Sequence, residues 1–169
     1  MRTAAIGLLA ALTACGAPRR AATPSEERAS QAEAAVNQAI TLERTPCFGG
    51  CPVYTIAVSP SGEVAYQGRA NVRRVGTAAA RIPKERVDAL LSELDRAGFF
   101  SFASQYVQAE PATCGRYATD SPSAITTVTH RGRTKTITHD YGCGSAPGAL
   151  VVLERRIDEV LGSAQWTGR

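Results

Sequence analysis

Cys47 and Cys51 stand four positions apart around Phe48-Gly49-Gly50, followed by Pro52 and a strand-like run. With Cys114 and Cys143 they offer four sulfur atoms, and the chain's two histidines, His130 and His139, offer imidazoles. Such residues do one of four things: hold a metal, exchange electrons, attack as thiolates, or close covalent rings. Redox centres of the thioredoxin type place two residues between their cysteines at a helix N-terminus, which lowers the thiolate pKa. Here three residues intervene and a strand follows. If Arg131-Gly132 is a hairpin tip, His130 and His139 lie roughly 20 Å apart at 3.3 Å per residue, too far to share one metal. No Gly-x-Ser-x-Gly, His-Glu-x-x-His or phosphate-cradling loop is present. Glu43, Asp95 and Asp140 have no spacing that marks them for acid–base work. The expected cofactor and metal complement is none.

The compartment decides between thiol and disulfide. Arg2, the apolar run Ala4 to Leu12 and the tetrapeptide Leu12-Thr13-Ala14-Cys15 form a positive n-region, a short h-region and a small-residue cleavage site. The run is too short to span a bilayer. The tetrapeptide resembles the bacterial lipobox, which implies cleavage that leaves Cys15 as a lipidated N-terminus. Gly16, rather than aspartate, follows it; by the same resemblance an outer membrane is favoured where the cell has two. Setting Cys15 aside leaves an even number of cysteines in an exported chain, as two disulfides require.

A disulfide needs Cα atoms about 4.4 to 6.8 Å apart, whereas extended chain over four residues spans about 13 Å. The segment must therefore turn, and Gly49 and Gly50 permit it. The expected pairing is Cys47 with Cys51 and Cys114 with Cys143, over the two crossed connectivities. The second ring would tie the connection 103–123, long and poor in apolar residues, to the start of the last helix.

Four segments organise the chain: a signal peptide over 1–14, a lipidated tether over 15–39, one α+β domain over 40–162, and a tail over 163–169. Residues 16–39 hold almost no large apolar side chain and cannot build a core. Thr23-Pro24-Ser25-Glu26 nevertheless has helix-start spacing, which predicts a marginal helix over 24–37. As a flexible chain the tether reaches roughly 25 to 30 Å. From Ile40 onward, short strands follow at 40–44, 53–59, 63–68 and 77–82, with Pro60-Ser61-Gly62 as a hairpin turn. A helix opens at Pro83 with Val87, Leu90, Leu91, Leu94 and Ala97 along one stripe, and ends before Gly98. Phe99, Phe100 and Phe102 after it read as core. A second hairpin covers 124–130 and 133–141, and Ser145 and Pro147 start a helix with Leu150, Leu153, Ile157, Val160 and Leu161 on one side. The expectation is an antiparallel sheet of about five to six strands with two helices packed on one face, two β-β-α units stapled by disulfides.

The segments CFGGCPVYT, SGEVAYQG, AGFF, TDSP and HDYGC together resemble the bacterial family called domain of unknown function 6438, over roughly 40–162. Its most specific part is Cys-Phe-Gly-x-Cys-Pro-x-Tyr, here Cys47 to Tyr54. The resemblance implies an exported, often lipid-anchored small domain and carries no activity. Tyr54 and Asp120 are the candidate ligand contacts, although an Asx-type turn before Ser121-Pro122 explains Asp120 without a ligand.

The formal charge of +4 is spread along the chain with no block of like charge, which excludes a nucleic-acid partner. The sequence thus points to a lipid-anchored periplasmic or cell-surface domain, a binding or envelope-structural module held to the membrane by its N-terminal lipid. Its partner is an envelope protein or a small ligand. The alternative is an enzyme whose site lies near Cys47, Cys51 and the 103–123 loop.

Overall fold

The computed structural model describes residues 38–168. Cys15, the signal peptide and the helix expected over 24–37 lie outside the described residues. Seven strands form one sheet: β1 (Ile40–Arg44), β2 (Val53–Val58), β3 (Glu63–Ala70), β4 (Gly76–Arg81), β5 (Gln105–Tyr106), β6 (Ser123–His130) and β7 (Arg133–Asp140). Their spatial order is β4-β3-β2-β1-β6-β7-β5. The described helices are α1 (Lys84–Arg96), α2 (Pro111–Cys114), α3 (Gly148–Leu161) and α4 (Ala164–Thr167), with a 3-10 turn at Phe99–Ser101.

Period-two patterning builds the central strands. Ile40 and Leu42 of β1 face Val58 and Ile56 of β2 on one side and Val128 and Thr126 of β6 on the other. All six are buried. Alternate positions, Thr41, Thr55, Ala57 and Thr127, look to the opposite face and stay partly exposed. One face is therefore core and the other wet, as is common for antiparallel sheets. The core face is covered by the apolar stripes of α1 (Val87, Leu90, Leu91, Leu94) and α3 (Leu150, Leu153, Ile157, Val160, Leu161). Each fully buried side chain of this kind stabilises the fold by about 1.5 to 3 kcal/mol. The β6–β7 turn has Arg131 at φ 50° and Gly132 at φ 72°, the paired positive values that a two-residue primed turn needs to match strand twist.

The expected antiparallel sheet of five to six strands with two helices is corrected on three counts. A seventh strand is present, its pairing makes the sheet mixed, and the described helices number four. β5 is only two residues long and runs parallel to β7, with Gln105 beside Thr138 and Tyr106 beside His139. Such a strand has no alternation to read; it exists because β7 offers an edge and Tyr106 is buried there. The short α2 is held where Cys114 bonds Cys143. α4 falls in the segment expected as a tail and is fixed by Trp166, whose ring stacks on Tyr66 at 4.8 Å.

Because β1, β3, β5 and β7 run one way and β2, β4 and β6 the other, the loops 45–52, 71–75, 107–122 and 141–147 all emerge at one end of the sheet. The chain enters at Ala39, at the other end of β1. The segments CFGGC, TDSP and HDYGC thus gather at the end of the sheet opposite Ala39.

Candidate functional site

Cys47 and Cys51 form a disulfide with Cα atoms 5.7 Å apart, so residues 47–51 make a closed loop at the end of the sheet. The loop docks on its neighbours through the backbone. Phe48 N donates to Asp120 O at 3.1 Å, Thr45 N to Ser123 O at 3.0 Å, and Asn71 Nδ2 to Cys51 O at 3.0 Å. The second disulfide joins Cys114 to Cys143, Cα to Cα 4.5 Å, and ties the loop before β6 to the loop after β7. The chain bridges the same loops again at Tyr117 and Cys143. A side chain on Gly142 would collide with the Ala118 carbonyl, so this close approach requires glycine. All four sulfur atoms are bonded and supply neither a thiolate nor a metal ligand. Two disulfides in one small domain fit an oxidising compartment.

The outcome of this bracing is the display of Phe48, which is 89% exposed at the loop tip. Gly49 and Gly50 beside it have no side chains to cover it. Asp120 lies directly behind, with φ 67° and its carboxylate accepting from Thr119 Oγ1 at 2.8 Å. Asp120 takes left-handed backbone here, which aspartate tolerates better than most residues, and its carboxylate bonds the Thr119 hydroxyl rather than making the Asx-type bond the sequence suggests, since Pro122 has no N–H.

Tyr54 points the other way. It is buried, and its hydroxyl donates to Asp158 Oδ1 at 2.6 Å. Arg44 Nε and Nη2 both donate to Asp158 Oδ2, at 3.2 and 2.8 Å, and Arg44 Nη1 donates to the Tyr141 hydroxyl at 2.6 Å. Tyr141 in turn donates to Glu154 Oε2 at 2.6 Å, and Glu154 faces His139 Nδ1 at 3.0 Å in a pair almost wholly withdrawn from water. The network runs under the loop end from β2 through β1 to β7 and α3. Every polar group in it has a partner, the condition under which burial of charge is tolerable.

The electrostatics follow. Burial alone would lower the Arg44 pKa, but Asp158 and Tyr141 together outweigh it and hold the guanidinium above its ordinary range. Burial raises Tyr54, and the neighbouring Asp158 raises it further. Burial pushes Tyr141 up to about 12, with Glu154 adding to the rise and Arg44 opposing it. Both phenols are therefore neutral donors at physiological pH. None is poised as a base.

Beyond Asp158, a cavity of about 360 Å³ opens at the junction of α3 and α4, lined by Arg155, Asp158, Glu159, Ser163 and Ala164. The volume suits a small ligand. Its one half-buried carboxylate, Asp158, is already committed to Arg44 and Tyr54. Among the described residues no three His, Cys, Asp or Glu side chains gather as a metal site.

Of the residues the sequence marks, Tyr54, Asp120 and the four cysteines, the structure brings the cysteine loop and Asp120 together while turning Tyr54 inward. Arg44, Tyr141, Glu154 and Asp158 are not marked by the sequence. A signal for the last two exists: Glu154 and Asp158 follow Leu150 at i+4 and i+8, so both acids sit along the apolar stripe of α3.

The family described as domain of unknown function 6438 matches residues 38–161. No curated protein matches the chain. Among the described residues, no helix is long and apolar enough to cross a membrane.

Proposed function

The chain belongs to the family described as domain of unknown function 6438, and from that premise we propose that it is an exported domain, anchored through a lipid on Cys15, that serves as a binding or envelope-structural module. Its working surface is the end of the sheet where the segments CFGGC, TDSP and HDYGC gather. The observation that carries this reading is the exposure of Phe48 on a ring closed by Cys47–Cys51. A phenylalanine held out by a covalent ring and left without cover is ready to fill a pocket on a partner at low entropic cost.

Three features support the reading. The Arg44, Tyr54, Tyr141, Glu154 and Asp158 side chains behind the loop satisfy one another, which suits a frame. The cysteines are bonded, which removes the thiol that the enzyme alternative near Cys47, Cys51 and the 103–123 loop would use. The tether joins at the opposite end of β1, so the Phe48 end is free to face away from the anchoring membrane. The partner is then an envelope protein or a small ligand rather than nucleic acid.

The test combines two measurements in cells. Cys15→Ser is expected to release a folded protein from the membrane fraction; retention there refutes the lipid anchor. A photoreactive residue in place of Phe48 is expected to give a discrete adduct that the same residue at Arg131, on the opposite end, does not. Equal patterns at both ends, or none at Phe48, overturn the proposed surface.

A further inference from the structure

The strand β4 is an edge with an unusual composition: Gly76-Thr77-Ala78-Ala79-Ala80-Arg81. Glycine and alanine are poor strand formers, and none of the six residues is fully buried. Its only strand neighbour is β3, in the register Glu63 with Arg81 through Gly68 with Gly76. The same register continues to Gly62 and Ile82, where Ile82 N donates to Gly62 O at 2.9 Å. That bond fixes the parity of the ladder, because hydrogen-bonded and non-bonded pairs alternate in an antiparallel pair. Gly76, Ala78 and Ala80 therefore turn their backbone groups toward β3. Thr77, Ala79 and Arg81 turn theirs outward, to an edge that no described strand covers.

Proteins ordinarily blunt such an edge with proline, a bulge, short length or charge. The other edge of this sheet, β5, is blunted by its two-residue length. β4 is six residues long without proline, and its pairing with β3 carries no bulge. What flanks it is positive charge. Arg74 lays its guanidinium on the outward Thr77 carbonyl, with Nε and Nη2 at 3.4 and 3.3 Å, and Arg81 extends from the far end, 65% exposed, with a long 3.4 Å contact to Glu63 as its one ion pair among the described residues. Arg73 and Arg74 have no acidic partner among the ion pairs of the described residues.

We propose that β4 is a docking edge that takes an extended acidic segment of another protein as an eighth strand. In a recognised mode of peptide capture, its backbone would pair with the outward groups of Ala79 and Arg81 and with the Thr77 N–H, while Arg74 keeps the Thr77 carbonyl. Thr77 and Arg81 are four residues apart, about 13 Å at 3.3 Å per residue. Carboxylates spaced i and i+4 on one face of the incoming strand therefore reach the two cationic ends, while the alanines between accept side chains of any size. A second copy of the chain is the less suited occupant. Two β4 strands paired antiparallel about Ala79 place Arg81 of each against Thr77 of the other, where Arg74 already sits, and like charges across a ladder repel.

The protein purified from membranes in mild detergent is titrated with a fluorescent peptide of sequence Thr-Glu-Val-Thr-Val-Glu-Thr and with its counterpart carrying Lys at both Glu positions. The acidic peptide is expected to bind at least tenfold more tightly and to slow hydrogen exchange within residues 76–81. Ala79→Pro is expected to abolish binding while leaving the fold intact, because the Ala79 N–H has no partner in the sheet and proline is tolerated at such edge positions. Arg74→Glu with Arg81→Glu is expected to reverse the preference between the peptides. Equal affinity for both peptides, binding that survives Ala79→Pro in a folded protein, no binding of either, or concentration-dependent self-association through β4 overturns the proposal. Each readout is independent of Phe48, so its failure leaves the reading of the motif end standing.

Discussion

The Tyr54 hydroxyl donates a 2.6 Å hydrogen bond to Asp158, joining the last residue of the Cys-Phe-Gly-x-Cys-Pro-x-Tyr run to the final long helix across 104 positions of sequence. It shares that carboxylate with Arg44, so the end of the sheet that displays Phe48 is held down by one charged junction. Removing the hydroxyl leaves a half-buried carboxylate short of a donor, which costs about 1 to 3 kcal/mol. Tyr54→Phe is therefore expected to lower the thermal midpoint by several degrees without loss of helix signal in circular dichroism.

The same network sets the alkaline limit of stability. Burial pushes Tyr141 up to about 12 and raises Tyr54 as well, against about 10 for tyrosine in an unfolded chain. Above pH 10 the unfolded chain gives up these protons while the folded one keeps them. Their contribution is complete below pH 10 and fades as pH rises toward 12. Urea midpoints measured from pH 8 to 11.5 should be level at first and then fall. Tyr141→Phe should flatten the fall relative to the parent protein; an identical slope contradicts the assignment.

Thr126 lies wholly buried between Leu42 and Ile137, with an Oγ1 that has no hydrogen-bond partner. Valine has nearly the same shape without the unsatisfied group. Thr126→Val should raise stability by about 1 kcal/mol in a denaturant titration. A loss of similar size would mean the hydroxyl is bonded in solution.

The two staples should differ. In the chain-entropy account a ring of about thirty residues contributes roughly 3.5 kcal/mol and one of about five roughly 2. Paired serine substitution of Cys114 and Cys143 should depress the thermal midpoint more than that of Cys47 and Cys51. Equal losses would show that ring size does not control the effect.

These contrasts mirror what the sequence discloses. The hairpins at 53–70 and 123–140 and the helices at 84–96 and 148–161 are legible because alternation and helical stripes are local signals repeated over whole elements. β5 is not, because two residues carry no period and parallel pairing to β7 is a tertiary event. α4 hides in an apparent tail, although a lone tryptophan there, Trp166, is a hint of burial. The polar network escapes for a related reason. Arg44, Tyr54, Tyr141 and Asp158 are each unremarkable in sequence and gain meaning only when the strand order places β1, β2 and β7 under α3. Glu154 and Asp158 are the exception, since acids along an apolar stripe ask for buried partners. In the cysteines, by contrast, an even number together with the export signal points to closed rings.

Those sulfur atoms close rings, one of which holds Phe48 outward, instead of performing chemistry. Protein isolated without reductant, treated with iodoacetamide and digested, tests this by mass spectrometry. The predicted result is one peptide with Cys47 joined to Cys51, one crosslinked pair containing Cys114 and Cys143, and no alkylation at any of the four. Alkylation of all four in the native protein would contradict it.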